Sequence, residues 1–140
     1  MAATKAGPAA TDAEQRLVKQ WREILAVHAS TQCELDRELH QHGLGASDFE
    51  VLDVLATGLA EDGDDAFRVQ EIACHVHLSQ SALSRLIGRL EKDGLVERGM
   101  CNEDRRGVRV CLTDKGRTVH AEARPVQRAV LARMLPGAGA

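Results

Sequence analysis

Tyrosine is absent, and only two Phe and one Trp occur among the 140 residues. Packing must therefore rest on Leu, Val, Ile and Ala, side chains that suit helices laid against helices. Long apolar runs are missing too. None approaches the ~18 residues of a membrane span, and no signal-peptide apolar segment follows Met1. The four Cys form no CxxC pair, so they read as thiols of a reducing cytoplasm rather than as a disulfide framework. There is no glycine-rich loop of phosphate-cradling spacing. No nucleophile has a base and an orienting group at readable spacing, so an enzyme is not expected. The acidic run Glu61-Asp-Gly-Asp-Asp-Ala66 lacks calcium-loop spacing, and neither a metal nor a cofactor is expected.

Net positive charge is also lacking: the formal balance is −3. Spread evenly, that would argue against nucleic acid. It is not spread evenly. Residues 1–67 hold 5 Lys/Arg and 13 Asp/Glu, whereas residues 68–117 hold 10 and 7. Phosphate contacts are made at one face, so a basic module on an acidic body can still bind DNA. The acidic half would then orient the basic half toward it.

What is present is helical periodicity followed by a hairpin. From Asp12 to about His42, Leu17, Trp21, Ile24, His28, Leu35 and Leu39 recur at spacings that mark one long helix. Gly43 and Gly45 end it. Ser47 and Glu50 read as a capping box opening a second helix that carries Phe49, Leu52, Val54, Leu55 and Leu59. Phe67-Arg68-Val69 suggests a short strand, and a third helix runs from Gln70 to His77. Ser79 caps a fourth, closed by Asp93-Gly94. Leu95-Val96 and Val108 to Leu112 alternate as a hairpin does, with residues 102–107 at its tip. Thr113 caps a fifth helix with Val119, Ala123, Val126, Val130 and Met134 on its buried stripe. Pro125 should kink this helix or leave one backbone acceptor free. Residues 1–11 form a loose tail, and residues 12–140 a single domain without internal repeats.

The run Ser79-Gln-Ser-Ala-Leu-Ser-Arg85 places short polar groups on the first turns of the fourth helix, where they suit base edges in a major groove. Ser79, Gln80, Ser81, Ser84 and Arg85 are the candidate contacts, with Arg89 one turn on for a phosphate. At the hairpin tip Arg106 suits a narrow minor groove, with Asp104 placed to hold its guanidinium. Arg105 and Arg109 are expected phosphate neighbours, and Arg98 could serve either way. The bland alternatives are an N-cap at Ser79 and a solvated charged turn at the tip.

The spaced run Asp104-x-Arg106-x5-Leu112-Thr113, after Leu78-Ser-Gln-Ser-Ala-Leu-Ser-Arg-Leu-Ile-Gly-Arg-Leu-Glu-Lys-Asp-Gly-Leu-Val96, resembles the wing and recognition helix of the MarR family. The likeness covers about residues 14–134. It implies a mainly α fold with a small β-wing: a winged helix-turn-helix (47–112) flanked by long dimerisation helices (12–42 and 113–135). It further implies a cytoplasmic homodimer that binds a pseudo-palindromic double-stranded DNA operator, usually as a repressor. Release would follow effector binding or thiol oxidation. The family usually has a shorter connection before Phe67 and adds a last helix beyond the position of Ala140. Dimerisation is therefore expected to rest mainly on the first and fifth helices, unless the chain has been shortened.

Several smaller constellations offer a trigger. Trp21, His28, Phe49, Leu52 and His120 could line a pocket for a small aromatic or acidic effector, although such spacing more often means core. Cys101 and Cys111, on facing strands, could form a redox pair. Cys33 is disfavoured as a reactive thiolate by its neighbours Glu34 and Asp36. His28, His40, His42 and His120 with Cys33 and Glu38 could build a zinc site of the kind zinc-sensing members of the family use, but compact ligand spacing is lacking. In Cys74-His-Val-His77 the two His point to different faces of a helix. Outside this class the alternative is a winged-helix module that contacts a protein, which would not need a basic tip.

Overall fold

The computed structural model describes residues 11–58, 66–100 and 108–137. Helix α1 spans Asp12–Leu39, and a 3₁₀ turn, His40–His42, extends it. Its start is a reciprocal cap. Thr11 Oγ1 accepts the Glu14 amide at 3.1 Å, and the Glu14 carboxylate accepts the Thr11 amide at 3.2 Å. Gly43, in the left-handed region at φ 73°, turns the chain away.

Helix α2 spans Ala46–Thr57, two residues earlier than the Ser47/Glu50 box predicts. That box is corrected. Gly45 is the cap residue, and two carboxylates take the orphan amides in its place. Asp48 Oδ2 accepts the Gly45 N–H and Asp36 Oδ1 accepts the Ala46 N–H, each at 2.8 Å. The chain continues as strand β1 (Phe67–Arg68), α3 (Val69–Val76), α4 (Gln80–Lys92), β2 (Val96–Met100), β3 (Val108–Leu112) and α5 (Asp114–Met134). The strands form an antiparallel sheet in the order β1-β3-β2. Phe67 stands opposite Val110, and Val96 opposite Leu112. The Phe67 strand thus joins the hairpin as a third member.

Phe49, Val51, Leu52, Phe67, Ile72, Leu83, Ile87, Leu90, Val96 and Val110 fill the core beneath the sheet. Helix α5 adds Ala123 and Val130, with His120 and Gln127 buried beside them. Val119, Val126 and Met134 are half-buried against the same cluster. The helix runs through Pro125 without ending. At its start α5 nearly touches the turn after α4. Thr113 Oγ1 donates to the Gly94 carbonyl at 2.6 Å, and a Cβ on Gly116 would lie 2.0 Å from the Leu95 oxygen.

Only the last third of α1 is buried, through Thr31, Leu35 and Leu39. Leu17, Val18, Trp21, Ile24 and Leu25 stay exposed, Trp21 at 58%. They form an apolar stripe on the free part of the helix.

Candidate nucleic-acid interface

Helix α4 divides cleanly into two faces. Leu83, Leu86, Ile87 and Leu90 are buried, while Ser79, Gln80, Ser81, Ser84, Arg85 and Arg89 are exposed. Ser79 Oγ accepts the Ala82 amide at 3.2 Å, so this hydroxyl caps the helix as expected. Arg85 leans back along the helix, its Nε donating to the Ser81 carbonyl at 3.4 Å. His77 enters the turn between α3 and α4 in the left-handed region at φ 54°. The start of α4, with its short polar groups, follows this turn and is exposed.

The arginines are not equivalent. Arg89 forms an ion pair with Asp48, whose side chain is 9% exposed against 58% for the arginine. Arg98, on β2, folds back to Glu91 of α4 at 3.3 Å. Arg109 departs from expectation: it is 5% exposed and Nη1 donates to the Ala66 carbonyl at 3.3 Å. A guanidinium so enclosed serves the junction before β1, and its assignment as a phosphate neighbour is corrected. Asp104, Arg105, Arg106 and Cys101 lie outside the described residues.

The proposed effector residues do not converge on one cavity. Phe49 and Leu52 are fully buried core. His120 stacks on Phe49 (centroids 5.3 Å apart) and its Nε2 lies 2.7 Å from Asp53 Oδ1. Trp21 and His28 are exposed on α1, remote from the stack in chain and in burial. His28 lines an open groove of about 460 Å³ with Ile24, Val27, Thr31, Leu135 and Pro136, and His120 a different cleft of about 320 Å³ with Ala121, Arg124, Pro125 and Arg128. The expected single pocket is therefore corrected to a core stack and two separate surface clefts.

Of the redox pair only Cys111 lies among the described residues. Cys111 is half-buried opposite Glu97, while Val108 stands opposite Met100. Cys33, Cys74, His75 and His77 are exposed. Among the described residues no group of three His, Cys, Asp or Glu could hold a metal ion. None of the described helices is long and apolar enough to cross a membrane.

A polar cluster not foreseen from the sequence joins α2 to α5. Arg128 Nη2 donates to both Asp53 oxygens at 3.2 and 3.3 Å, its guanidinium stands 5.9 Å from the Phe49 ring centre, and Gln127 Nε2 donates to Glu50 at 3.3 Å. Burial pushes the Glu50 carboxyl above its ordinary range, Asp53 adds to this, and Arg128 opposes it. A carboxyl raised in the folded state favours folding below its ordinary range, and that advantage is lost as pH rises through the raised value. At neutral pH Glu50 is therefore charged at a cost. Glu50→Gln keeps the acceptor for Gln127 and removes the charge. It should raise stability at pH 7 by a few tenths to about 1 kcal/mol, with solvent screening included. Thermal melts at several pH values should show the gain vanish below about pH 4. A variant less stable than wild type at pH 7 would refute this account.

The comparisons converge on one group of proteins. A family model described as the MarR family matches residues 64–108. The chain is similar to AbsC, a MarR family transcriptional regulator from Streptomyces coelicolor. The two are 32% identical with a TM-score of 0.76, over 91% of this chain and 82% of that one. It is also similar to Sco3205 of the same organism, a MarR family transcriptional regulator solved in complex with DNA. There the identity is 30% and the TM-score 0.75, over 93% of this chain and 78% of that one. Among curated proteins it is 28% identical over 101 residues to the HTH-type transcriptional regulator YkoM of Bacillus subtilis (strain 168). That match takes in 72% of this chain but only 62% of the relative's length.

Proposed function

Since the chain belongs to the MarR family, we propose that it is a DNA-binding transcriptional regulator, acting as a homodimeric repressor on a pseudo-palindromic operator. The observation that carries this reading is α4, with four apolar residues buried and its capped, hydroxyl-rich edge left open to solvent. Its side chains are short enough to bring the helix against base edges. The arm formed by β2 and β3 follows directly, so that an arginine beyond Met100 would meet the adjacent minor groove. The exposed stripe on α1 supports the dimer, because so many contiguous apolar side chains on a small domain mark an interaction surface. Two such helices would then enter successive major grooves about one helical turn apart. Such a regulator works in the cytoplasm, where the genome is.

Release by a small aromatic or acidic molecule is part of the same proposal. The ligand can shift the dimer only by its differential affinity for the two shapes. It should therefore bind the free protein more tightly than the DNA-bound protein, by the factor with which it weakens DNA binding.

Arg106→Ala tests the arm. Operator binding should weaken by about 1–3 kcal/mol while the thermal melt stays unchanged, because the substitution removes a tip contact and no core. Equal affinity in titrations of both proteins against one duplex would remove the minor-groove assignment. A salt titration on random duplex separates the reading from a protein-contacting module, since phosphate binding weakens steeply with added salt.

A further inference from the structure

Resting on the reading of α4 as the DNA-entering helix, we propose that Ser47, Arg85 and Arg89 form a clasp for one backbone phosphate of the duplex. In this clasp Asp48 is the positioning residue for Arg89. The first turn of α2 and the flank of α4 enclose an open cleft of about 360 Å³, lined by Ser47, Leu78, Ala82, Arg85, Leu86 and Arg89. Its floor is apolar, and its polar groups are one hydroxyl and two guanidinia. Arg85 and Arg89 lie one helical turn apart, so both forks reach the same opening. Forked N–H donors of this kind match the geometry of a phosphodiester better than that of any neutral ligand. Arg85 also borders the exposed edge made by Gln80, Ser81 and Ser84. A duplex seated on that edge therefore brings its backbone over the cleft.

Asp48 explains why Arg89 stays at the rim. Its Oδ2 accepts the Gly45 amide at 2.8 Å, which fixes the carboxylate to the start of α2. Its Oδ1 accepts from Arg89 Nη2. That takes up one N–H of a five-donor group whose side chain is 58% exposed. Asp48 is recessed and Arg89 exposed, so the negative charge stands behind the positive one as seen from solvent.

Asp48→Asn gives the decisive test, because Coulomb attraction and positioning predict opposite signs. Removing a negative charge beside a phosphate should tighten binding if Asp48 does nothing else. Loss of the ion pair should weaken it, by about tenfold, if Asp48 sets Arg89 in place. The asparagine keeps an oxygen for the Gly45 amide, so α2 retains its start. The probe is a mixed-sequence duplex long enough for two major grooves, titrated at several salt concentrations, since phosphate contacts act alike on all sequences.

We expect Asp48→Asn to bind more weakly than wild type. Arg89→Ala should lower the salt slope by about two, one contact for each protomer of the bound dimer, and Asp48→Asn should cost nothing further in that background. Binding by Asp48→Asn as tight as or tighter than wild type overturns the positioning role. Unchanged salt slopes for both Arg85→Ala and Arg89→Ala overturn the clasp. Absence of salt-dependent binding by the wild type overturns the DNA-binding reading itself. Should a melt show Asp48→Asn unfolded, Arg89→Lys replaces it. That variant keeps a cation for Asp48 but loses the fork, and unchanged affinity there also overturns the proposal.

Discussion

Glu in place of Trp21 is expected to give a folded monomer that has lost about a hundredfold or more of its affinity for a two-half-site duplex. Trp21 is 58% exposed at the centre of the stripe formed by Leu17, Val18, Ile24 and Leu25. Nothing in the protomer's core depends on it. A charge placed there would have to be desolvated in any partner-covered face, at a cost of several kcal/mol if unpaired. Once the two protomers are separated, the second half-site is no longer bound at high effective concentration, and the avidity gain of about 10²–10⁴ is lost. Light scattering should report the 15.2 kDa chain mass for the variant and twice that for wild type. A variant that remains dimeric and binds normally would place the interface elsewhere.

Gly116→Ala should lower stability by about 3 kcal/mol, at the upper end of what overpacking a well-filled site costs. For an ordinary helical glycine the sign is opposite, with alanine favoured by about 1 kcal/mol. Here the new Cβ would lie 2.0 Å from the Leu95 carbonyl oxygen and 3.1 Å from a Leu112 methyl carbon. The first of these is backbone that cannot rotate away. The Leu95 carbonyl also accepts the Thr113 amide at 3.1 Å, so relief by displacement breaks a hydrogen bond. Denaturant unfolding of the two proteins measures the difference. An alanine variant as stable as wild type would show that the close approach relaxes without penalty.

Most of the helices were legible because their signals are local. Thr113 and Ser79 are caps with the right neighbours, and Leu83, Leu86, Ile87 and Leu90 fall on one face of α4 as spacing requires. The misreadings share a different origin. Ser47 with Glu50 satisfies the capping-box pattern, but an aspartate from α1 and Asp48 occupy the amides first. Arg109 looks like its neighbours in a basic run, yet pairing of β1 with β3 encloses it. Phe49 and His120 were grouped with Trp21 and His28 because helical spacing cannot say which stripe faces inward. Asp48 and Arg89 are separated by 41 residues, and Asp53 and Arg128 by 75. No periodicity links such pairs; only the folded topology does.

The seat of Gly116 under Leu95 has a mechanical consequence. Helix α5, with 21 residues, is a beam about 31 Å long, and its first end is held without clearance against the turn that closes α4. Tilting such a beam by about 5° carries its far end through about 3 Å. The end beside Leu95 has no slack to absorb that tilt. Pro125, near mid-span, lacks the amide that would bond one turn back, so bending is least costly there. The first end of α5 is thus seated on the turn after α4, and its last turn is joined to α1, where Arg133 pairs with Glu34 at 3.3 Å. A single helix, not a loop, therefore connects the turn after α4 with α1.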